Sequence, residues 1–339
     1  MTSSVNLTPP YLIFLGDVPN KVYAKTALGL VQWAPQHCLA QHRFPGCDID
    51  TGLPDMSIGD AAKVGAKSLL IGSAPVGGAM QENWLPSLLE AIAAGMDIVS
   101  GLHTCLNDAP ALRDAAKQAG VRLIDVRVPP ENLPIGSGKK RRGQRLLAVG
   151  TDCSVGKKYT TLALAKAMKA QGLDCDFRAT GQTGIMIAGS GIPIDSVVAD
   201  FIAGAAEQLS PDNNEAHWDI IEGQGSLFNP AYAGVSLGLL HGAQPDAIVV
   251  CHDPSRSHIN SSPDNAMPTV EACIEANLAM GRLTNPAIRC VGVSVNTSQL
   301  ADTEREAYLA ELSQRLGLPC VDPIVDGVQP LIDEMLKGA

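Results

Sequence analysis

The stretch GTDCSVGKKYTT, residues 150–161, has the ingredients of a phosphate-binding loop. It reads as a variant of G-x-x-x-x-G-K-[ST]: Gly150 and Gly156 frame it, Lys157 follows, and Lys158 stands where the pattern asks for Ser or Thr. Glycines let the backbone curl so that successive N–H groups face an anion, and Lys157 adds a point charge. In nucleotide hydrolases the hydroxyl after the lysine ligates magnesium between the outer phosphates. Lys158 cannot ligate a cation and brings a second positive charge instead. The expected ligand is therefore a diphosphate bound without a metal cluster. Its cradle would be Gly150, Thr151, Asp152, Cys153, Ser154, Val155, Gly156 and Lys157, continued by Lys158, Tyr159 and Thr160 on the helix that follows. Coenzyme A (CoA) fits: it carries a diphosphate and a ribose phosphate and reacts at a distant sulfur, and no obligatory metal is expected. The basic run Lys139 to Arg142, with Arg145, either meets the ribose phosphate or is a solvated linker.

Ligands of open parallel sheets bind outside the carboxyl ends of the strands, so residues just past each strand-like run are the next candidates. They are Arg178, Gln182 and Thr183 in RATGQTG, Glu222 in IIEGQGS, His252, Asp253, Arg256 and His258 in CHDPSRSH, and Asn296 in VSVN. Glu222 follows an apolar run and precedes glycines, which suits a buried acid. The histidines read equally well as ordinary turn residues. Arg178 either serves a ligand or pairs with an acid such as Asp176. Asn296 either caps a turn or reads an adenine edge. In the N-terminal part, the loops at 71–78, with Gly77-Gly78, and at 100–108, with His103, follow strand-like runs. Gly77-Gly78 permits close backbone approach to a ligand. His103 either faces a cleft between domains or is a satisfied turn residue.

The elements that must position these groups alternate along the chain. YLIFLG (11–16), KSLLIG (67–72), MDIVSG (96–101) and VRLIDVR (121–127) read as strands, with helices at 21–33, 83–95 and 109–120 between them. Pro, Gly, Ser and a basic run at 129–144 interrupt the pattern as a linker does. It restarts with RLLAVG (145–150), a helix to about Gln171, strands at 174–180, 218–223, 247–253, 287–296 and near 319–323, and helices at 196–209, near 268–280 and at 302–316. Strand–helix alternation predicts parallel sheets covered by helices, an α/β fold. The reading is a Rossmann-like domain over 1–135 and a P-loop domain over 136–339.

Composition narrows the classes. A net charge of −10, a pI near 5.1 and 4% aromatics argue against nucleic acid or an anionic membrane as the main partner. YLIFLG is too short to span a bilayer, and no cleavable signal pattern opens the chain. The nine cysteines lack metal-ligand spacing, and Cys251 and Cys290 sit in apolar runs, so free thiols in the cytoplasm are expected. A small-molecule substrate and a homo-oligomer complete the expectation.

The motifs GTDCSVGK, IIEGQGS and VGVSVN resemble the branch of P-loop proteins that includes dethiobiotin synthetase. With GLHTCLND, ATGQTG and HDPSR added, the whole chain resembles the two-domain family that includes the D-glutamate N-acetyltransferases. That resemblance implies transfer of the acetyl group of acetyl-CoA to the amino group of an acidic amino acid, D-glutamate. Transfer would need a base for the ammonium, for which Glu222, His252 and Asp152 are candidates. It would also need cations for two carboxylates, for which Arg178 and Arg256 are candidates. Gln182, Thr183 and His103 complete the expected substrate contacts. An ATP- and magnesium-dependent ligase or carboxylase, or a nucleotide-binding protein without catalysis, is the alternative.

Overall fold

The computed structural model describes residue 5 and residues 7–21, 23–73 and 78–337. Gly77 of the expected diglycine lies outside them. The chain divides into two compact bodies. The first comprises the described residues up to Pro129 together with Gln182–Pro193; the second comprises Pro130–Gly181 and the described residues from Ile194 onward.

In the first body, β1 (Tyr11–Gly16), α1 (Lys25–Trp33), β2 (Cys38–Arg43), α2 (Ile58–Lys63), β3 (Ser68–Ile71), α3 (Leu85–Ala93), β4 (Asp97–Ser100), α4 (Pro110–Ala119) and β5 (Leu123–Asp125) follow in chain order. The five strands form one parallel sheet, β2-β1-β3-β4-β5. This is a doubly wound order, as a Rossmann-like domain requires. Its central strands are buried on both faces, so YLIFLG and SLLI read as continuous apolar runs. Phe14, Leu88, Ile98 and Trp84 anchor the core, and Trp84 Nε1 donates to Asp17 at 3.0 Å. Strand β2 and helix α2 are absent from the sequence reading. CLAQHR is half-buried with three polar residues, so it shows neither an apolar run nor clean alternation.

The second body holds β6 (Gln144–Gly150), α5 (Lys157–Ala170) and β7 (Cys175–Arg178). The chain then forms α6 (Gln182–Ala188), which packs in the first body, and returns as α7 (Ile202–Leu209), β8 (Trp218–Ile221), α8 (Ala233–Ala243) and β9 (Ala247–His252). A short antiparallel hairpin, β10 (His258–Ile259) and β11 (Ser262–Ala266), precedes α9 (Val270–Gly281), β12 (Arg289–Val295), α10 (Asp302–Leu316), β13 (Cys320–Val321) and α11 (Gln329–Leu336). The six parallel strands run β13-β12-β9-β6-β8-β7. From β6 the chain moves out to one side through β7 and β8, then crosses to β9 on the other side. The direction of winding therefore reverses at β6, and the loop after β6 opens at the switch point where such sheets bind ligands.

Helix starts show what the sequence encodes locally. Thr269 caps α9, its Oγ1 accepting from Ala272 N at 3.2 Å, with Glu271 in the first turn. Helix α10 ends at Gly317, left-handed at φ 65°. Helix α5 differs: its N-cap is Gly156 at φ 110°, no side chain caps it, and no acid lies in its first turn. Its open N–H groups and positive dipole end are left for an external anion.

The basic run at 139–145 is in part solvated, with Lys139 and Arg142 exposed, and in part fastened to the second body. Lys140 pairs with Asp246 at 2.6 Å, and Arg141 donates to the carbonyls of Gly242 and Ala243 at the end of α8. Arg145 is buried, donating to Ser210 Oγ and to the carbonyls of Arg141, Arg142 and Gly143. These residues lead into β6, at the opposite end of the strand from the loop, and lock that end in place. All nine cysteines are free thiols, Cys251 and Cys273 among the buried ones. Among the described residues, no helix is long and apolar enough to cross a membrane.

Candidate active site

Five residues separate Gly150 from Gly156, one more than in the commonest phosphate loop. The extra length is accommodated by two left-handed residues, Ser154 at φ 56° and Gly156 at φ 110°. Ser154 lacks glycine's freedom, so its conformation must be held by its surroundings. Arg256 does this. Its Nη1 donates to the carbonyl of Cys153 and its Nη2 to that of Ser154, both at 2.9 Å. Turning those carbonyls toward Arg256 turns the following amides the other way. Among the described residues, the N–H groups of Ser154, Val155, Gly156 and Lys157 donate to no protein acceptor.

Asp152 is the second fastening. Its carboxylate is fully buried, Oδ1 accepting from Asn229 Nδ2 at 2.9 Å, Oδ2 from Asn260 N at 2.7 Å and Arg256 Nη1 at 3.5 Å. These three donors make Asp152 a fastening between the loop and the segments that carry Asn229, Arg256 and Asn260. Val155 is buried and lies where a Cβ on Gly150 would fall, 2.8 Å away, so that glycine is required by packing. Thr160 Oγ1 bonds Ser294 Oγ at 2.8 Å and the Gly156 carbonyl at 3.1 Å beneath the loop, facing the sheet. Tyr159 is half-buried with the Lys158 ammonium 4.7 Å from its ring centre.

Lys157 leads off α5 and bends back over the loop, its Nζ donating to the Asp152 carbonyl at 2.7 Å. Burial pushes its ammonium below the ordinary lysine value. Beneath it runs Gly223. A Cβ there would sit 1.6 Å from the Ala148 carbonyl and 2.9 Å from the Lys157 stem, so only glycine allows β6, the lysine and the turn after β8 to meet.

Glu222 precedes that glycine. It is buried, and its Oε2 accepts from the amides of Thr180 and Gly181, each at 3.0 Å. Thr180 Oγ1 donates in turn to the Glu222 carbonyl at 2.7 Å, and Gln224 Nε2 donates to Thr180 Oγ1 at 3.2 Å. Burial raises the Glu222 carboxyl above the ordinary glutamate value; the two amides and nearby Lys158 oppose that rise.

On the other flank of β6, His252 ends β9. Its Nδ1 lies 3.1 Å from Thr151 Oγ1, its ring stacks against Tyr308, and burial lowers its pKa below the ordinary histidine value. Asn296 Nδ2 donates to Asp253 Oδ2 at 3.2 Å, so its amide braces the neighbouring turn. Glu222 and His252 lie on either side of β6, but the register sets Glu222 level with Ala148 and His252 level with Thr151, so their backbones are about 14 Å apart from strand spacing and rise. A groove of about 590 Å³ begins at His252 and Arg256.

The remaining expected residues fall elsewhere. Arg178 folds back along β7: its Nε donates to Asp219 at 2.6 Å and its Nη2 pairs with Asp176 at 3.3 Å. Asp219 is in register with Asp176, two residues upstream, so the guanidinium points away from the loop. With His217, Asp176 and Asp219 form a cluster with metal-ligand geometry, but the guanidinium of Arg178 already supplies the cation there. Gln182, Thr183 and His103 belong to the first body. Thr183 Oγ1 lies 3.3 Å from Thr26 Oγ1, and Arg127 Nη1 donates to Gln182 Oε1 at 3.4 Å. The exposed His103 packs on Gly78, whose carbonyl accepts from the His103 and Thr104 amides. The sequence reading missed Asn229, Asn260, Thr180 and Tyr308; each acts through a partner distant in sequence, which no local spacing reveals.

Comparison with known proteins matches both bodies to one family. A family description reading "Domain of unknown function (DUF1611_C) P-loop domain" covers residues 134–332, and its companion, "Domain of unknown function (DUF1611_N) Rossmann-like domain", covers 42–129. The chain is 51% identical over 328 residues to a D-glutamate N-acetyltransferase of a Pseudoalteromonas species, spanning 97% of this chain and 99% of that one. It is 48% identical over 326 residues to a D-glutamate N-acetyltransferase of Tritonibacter scottomollicae, spanning 96% and 98%. A crystal structure of a DUF1611 family protein from Anabaena variabilis has a TM-score of 0.86 and 31% identity, with 97% of this chain and 100% of that one covered.

Proposed function

This chain belongs to the DUF1611 family and is an N-acetyltransferase, and on that premise we propose that it moves the acetyl group of acetyl-CoA to the amino group of D-glutamate. The observation that carries the cofactor is the loop: an uncapped α5, free amides from Ser154 to Lys157, and Lys158 where a magnesium-binding hydroxyl would stand. That set suits a diphosphate handle with remote chemistry. The substrate rests on the two relatives whose names carry D-glutamate.

Glu222 is the base in this reading. The amines of amino acids arrive protonated. With Oε2 pinned by two amides, Oε1 can accept a proton, and the raised pKa brings the carboxyl closer to the pH at which it must exchange one. The freed amine attacks the thioester carbonyl carbon, and its second proton leaves as the tetrahedral intermediate collapses. The C–S bond breaks, and the departing coenzyme A thiolate takes up a proton. Backbone amides of the 223–226 turn are the donors at hand for the oxyanion. Asp152 fastens the loop, and His252 lies on the far flank of β6.

A thiol-release assay tests the reading. Purified protein with acetyl-CoA should release free thiol on addition of D-glutamate, with EDTA present. Release with L-glutamate alone would replace the substrate. Magnesium-dependent ATP hydrolysis without thiol release would replace the reaction class with a ligase of the dethiobiotin synthetase kind.

A further inference from the structure

The groove beside the phosphate loop has no role in the chemistry above, yet it opens directly from it. His252 contacts Thr151 of the loop and Arg256 holds the carbonyls of Cys153 and Ser154, and both side chains also line the groove. A molecule whose diphosphate sits on the loop has this groove within reach of one of its two arms. Its volume, about 590 Å³, is that of a small-molecule site.

The lining is specific in kind. The rings of Tyr308 and His252 lie near-parallel, 20° apart with centroids 6.4 Å apart, and offer an aromatic surface. Met267, Pro268 and Val270 form an apolar wall. At the edge, Glu271 and Arg315 pair at 2.6 Å, a carboxylate that can accept from an amino group beside a guanidinium that can donate to a ring nitrogen. Flat, apolar on its face, with a donor and acceptors along its rim: these are the properties of a purine. The other arm of coenzyme A is a flexible chain of amides and methylenes with no ring to stack.

Resting on the acyl-CoA reading, we infer that this groove seats the adenine of coenzyme A. The cofactor straddles β6, with its purine on the β9–β12 flank and its thioester on the β8 flank beside Glu222. The winding reversal at β6 divides the labour: recognition on one side of the loop, proton transfer on the other.

Calorimetry on the full chain tests this with two fragments of the cofactor, adenosine 3′,5′-bisphosphate and pantetheine 4′-phosphate. Tyr308→Ala should weaken the bisphosphate about tenfold or more, as loss of an aromatic partner does for a stacked base, and raise the KM for acetyl-CoA in parallel. Tyr308→Phe, which keeps the ring, should stay within about twofold of the native chain, showing that ring loss and not misfolding is read. Unchanged bisphosphate affinity in Tyr308→Ala, with acetyl-CoA still bound by the native chain, overturns the groove assignment and leaves the acetyltransferase reading standing. Weakening of the pantetheine fragment in place of the bisphosphate also overturns it, since the groove then holds the other arm. A native chain that binds neither fragment nor acetyl-CoA overturns both readings.

Discussion

Glu222 illustrates how one side chain acquires a task from its surroundings. Burial alone would favour the neutral acid; the amides of Thr180 and Gly181 and the charge of Lys158 favour the anion. The balance lies above the ordinary glutamate value, so the base form is lost at a higher pH than for an exposed glutamate. The acid limb of kcat/KM should therefore fall above the ordinary glutamate range, and Glu222→Gln should abolish that limb. The same change should lower kcat by about 10²- to 10⁴-fold while the affinity for acetyl-CoA, measured by calorimetry, stays within about threefold of the native chain. A sign argument adds a stability effect. With a raised native pKa, the folded chain holds more protons than the unfolded one between the ordinary and raised values, and stability falls as pH rises through that window. Glu222→Gln removes the cost, so its melting temperature at neutral pH should equal or exceed that of the native chain. Lys157 is the complementary case. Its buried ammonium can offer an anion a short, charge-assisted bond, so Lys157→Ala should weaken acetyl-CoA binding by about 10- to 100-fold in calorimetry.

At the scale of elements, the loop is shaped less by its own residues than by the segment after β9. Arg256 and the Asn260 amide reach back onto the loop from this segment, and Asn229 reaches it from beyond β8. Arg256→Ala should free the carbonyls of Cys153 and Ser154, speed hydrogen exchange at residues 152–157, and raise the KM for acetyl-CoA by about tenfold through lost pre-organisation. Exchange at wild-type rates would show that the loop holds its shape unaided. The meeting of β6, Lys157 and the turn after β8 is less forgiving. Gly223→Ala places a methyl inside van der Waals contact of the Ala148 carbonyl, and strands buried on both faces have little room to shift. We expect a loss of about 3 kcal/mol, read as a melting temperature lowered by several degrees and as reduced soluble yield.

For the whole molecule, the chain is less modular than its linker suggests. The break between bodies falls at Pro129, yet the chain re-enters the first body at Gln182–Pro193. In that excursion α6 buries Ile185 and Met186 and meets Thr26 through Thr183. A fragment beginning at residue 130 keeps α6 but lacks its partners. Such a fragment should aggregate or elute as a heterogeneous species in size exclusion, whereas the full chain should give one folded species; a well-behaved fragment would show that α6 can be left exposed. Composition places a division at 135/136, the two bodies part at 129/130, and a seven-residue helix returning to an earlier body leaves no compositional mark.

The one-dimensional string determined whatever depends on neighbours along the chain. The buried strands are legible as apolar runs, α10 is legible over its full length, and the loop announces itself through Gly156 and Lys157 because backbone curvature and a charge are local properties. Only the tertiary structure decided which polar groups face a ligand. Arg178 and Arg256 read alike as free cations at strand ends, yet one turns back to Asp219 and the other fastens Cys153 and Ser154, because acceptors 41 and about 100 residues away compete for them. A buried charge goes where its partner is, and in this protein the partners are brought together by the parallel sheet.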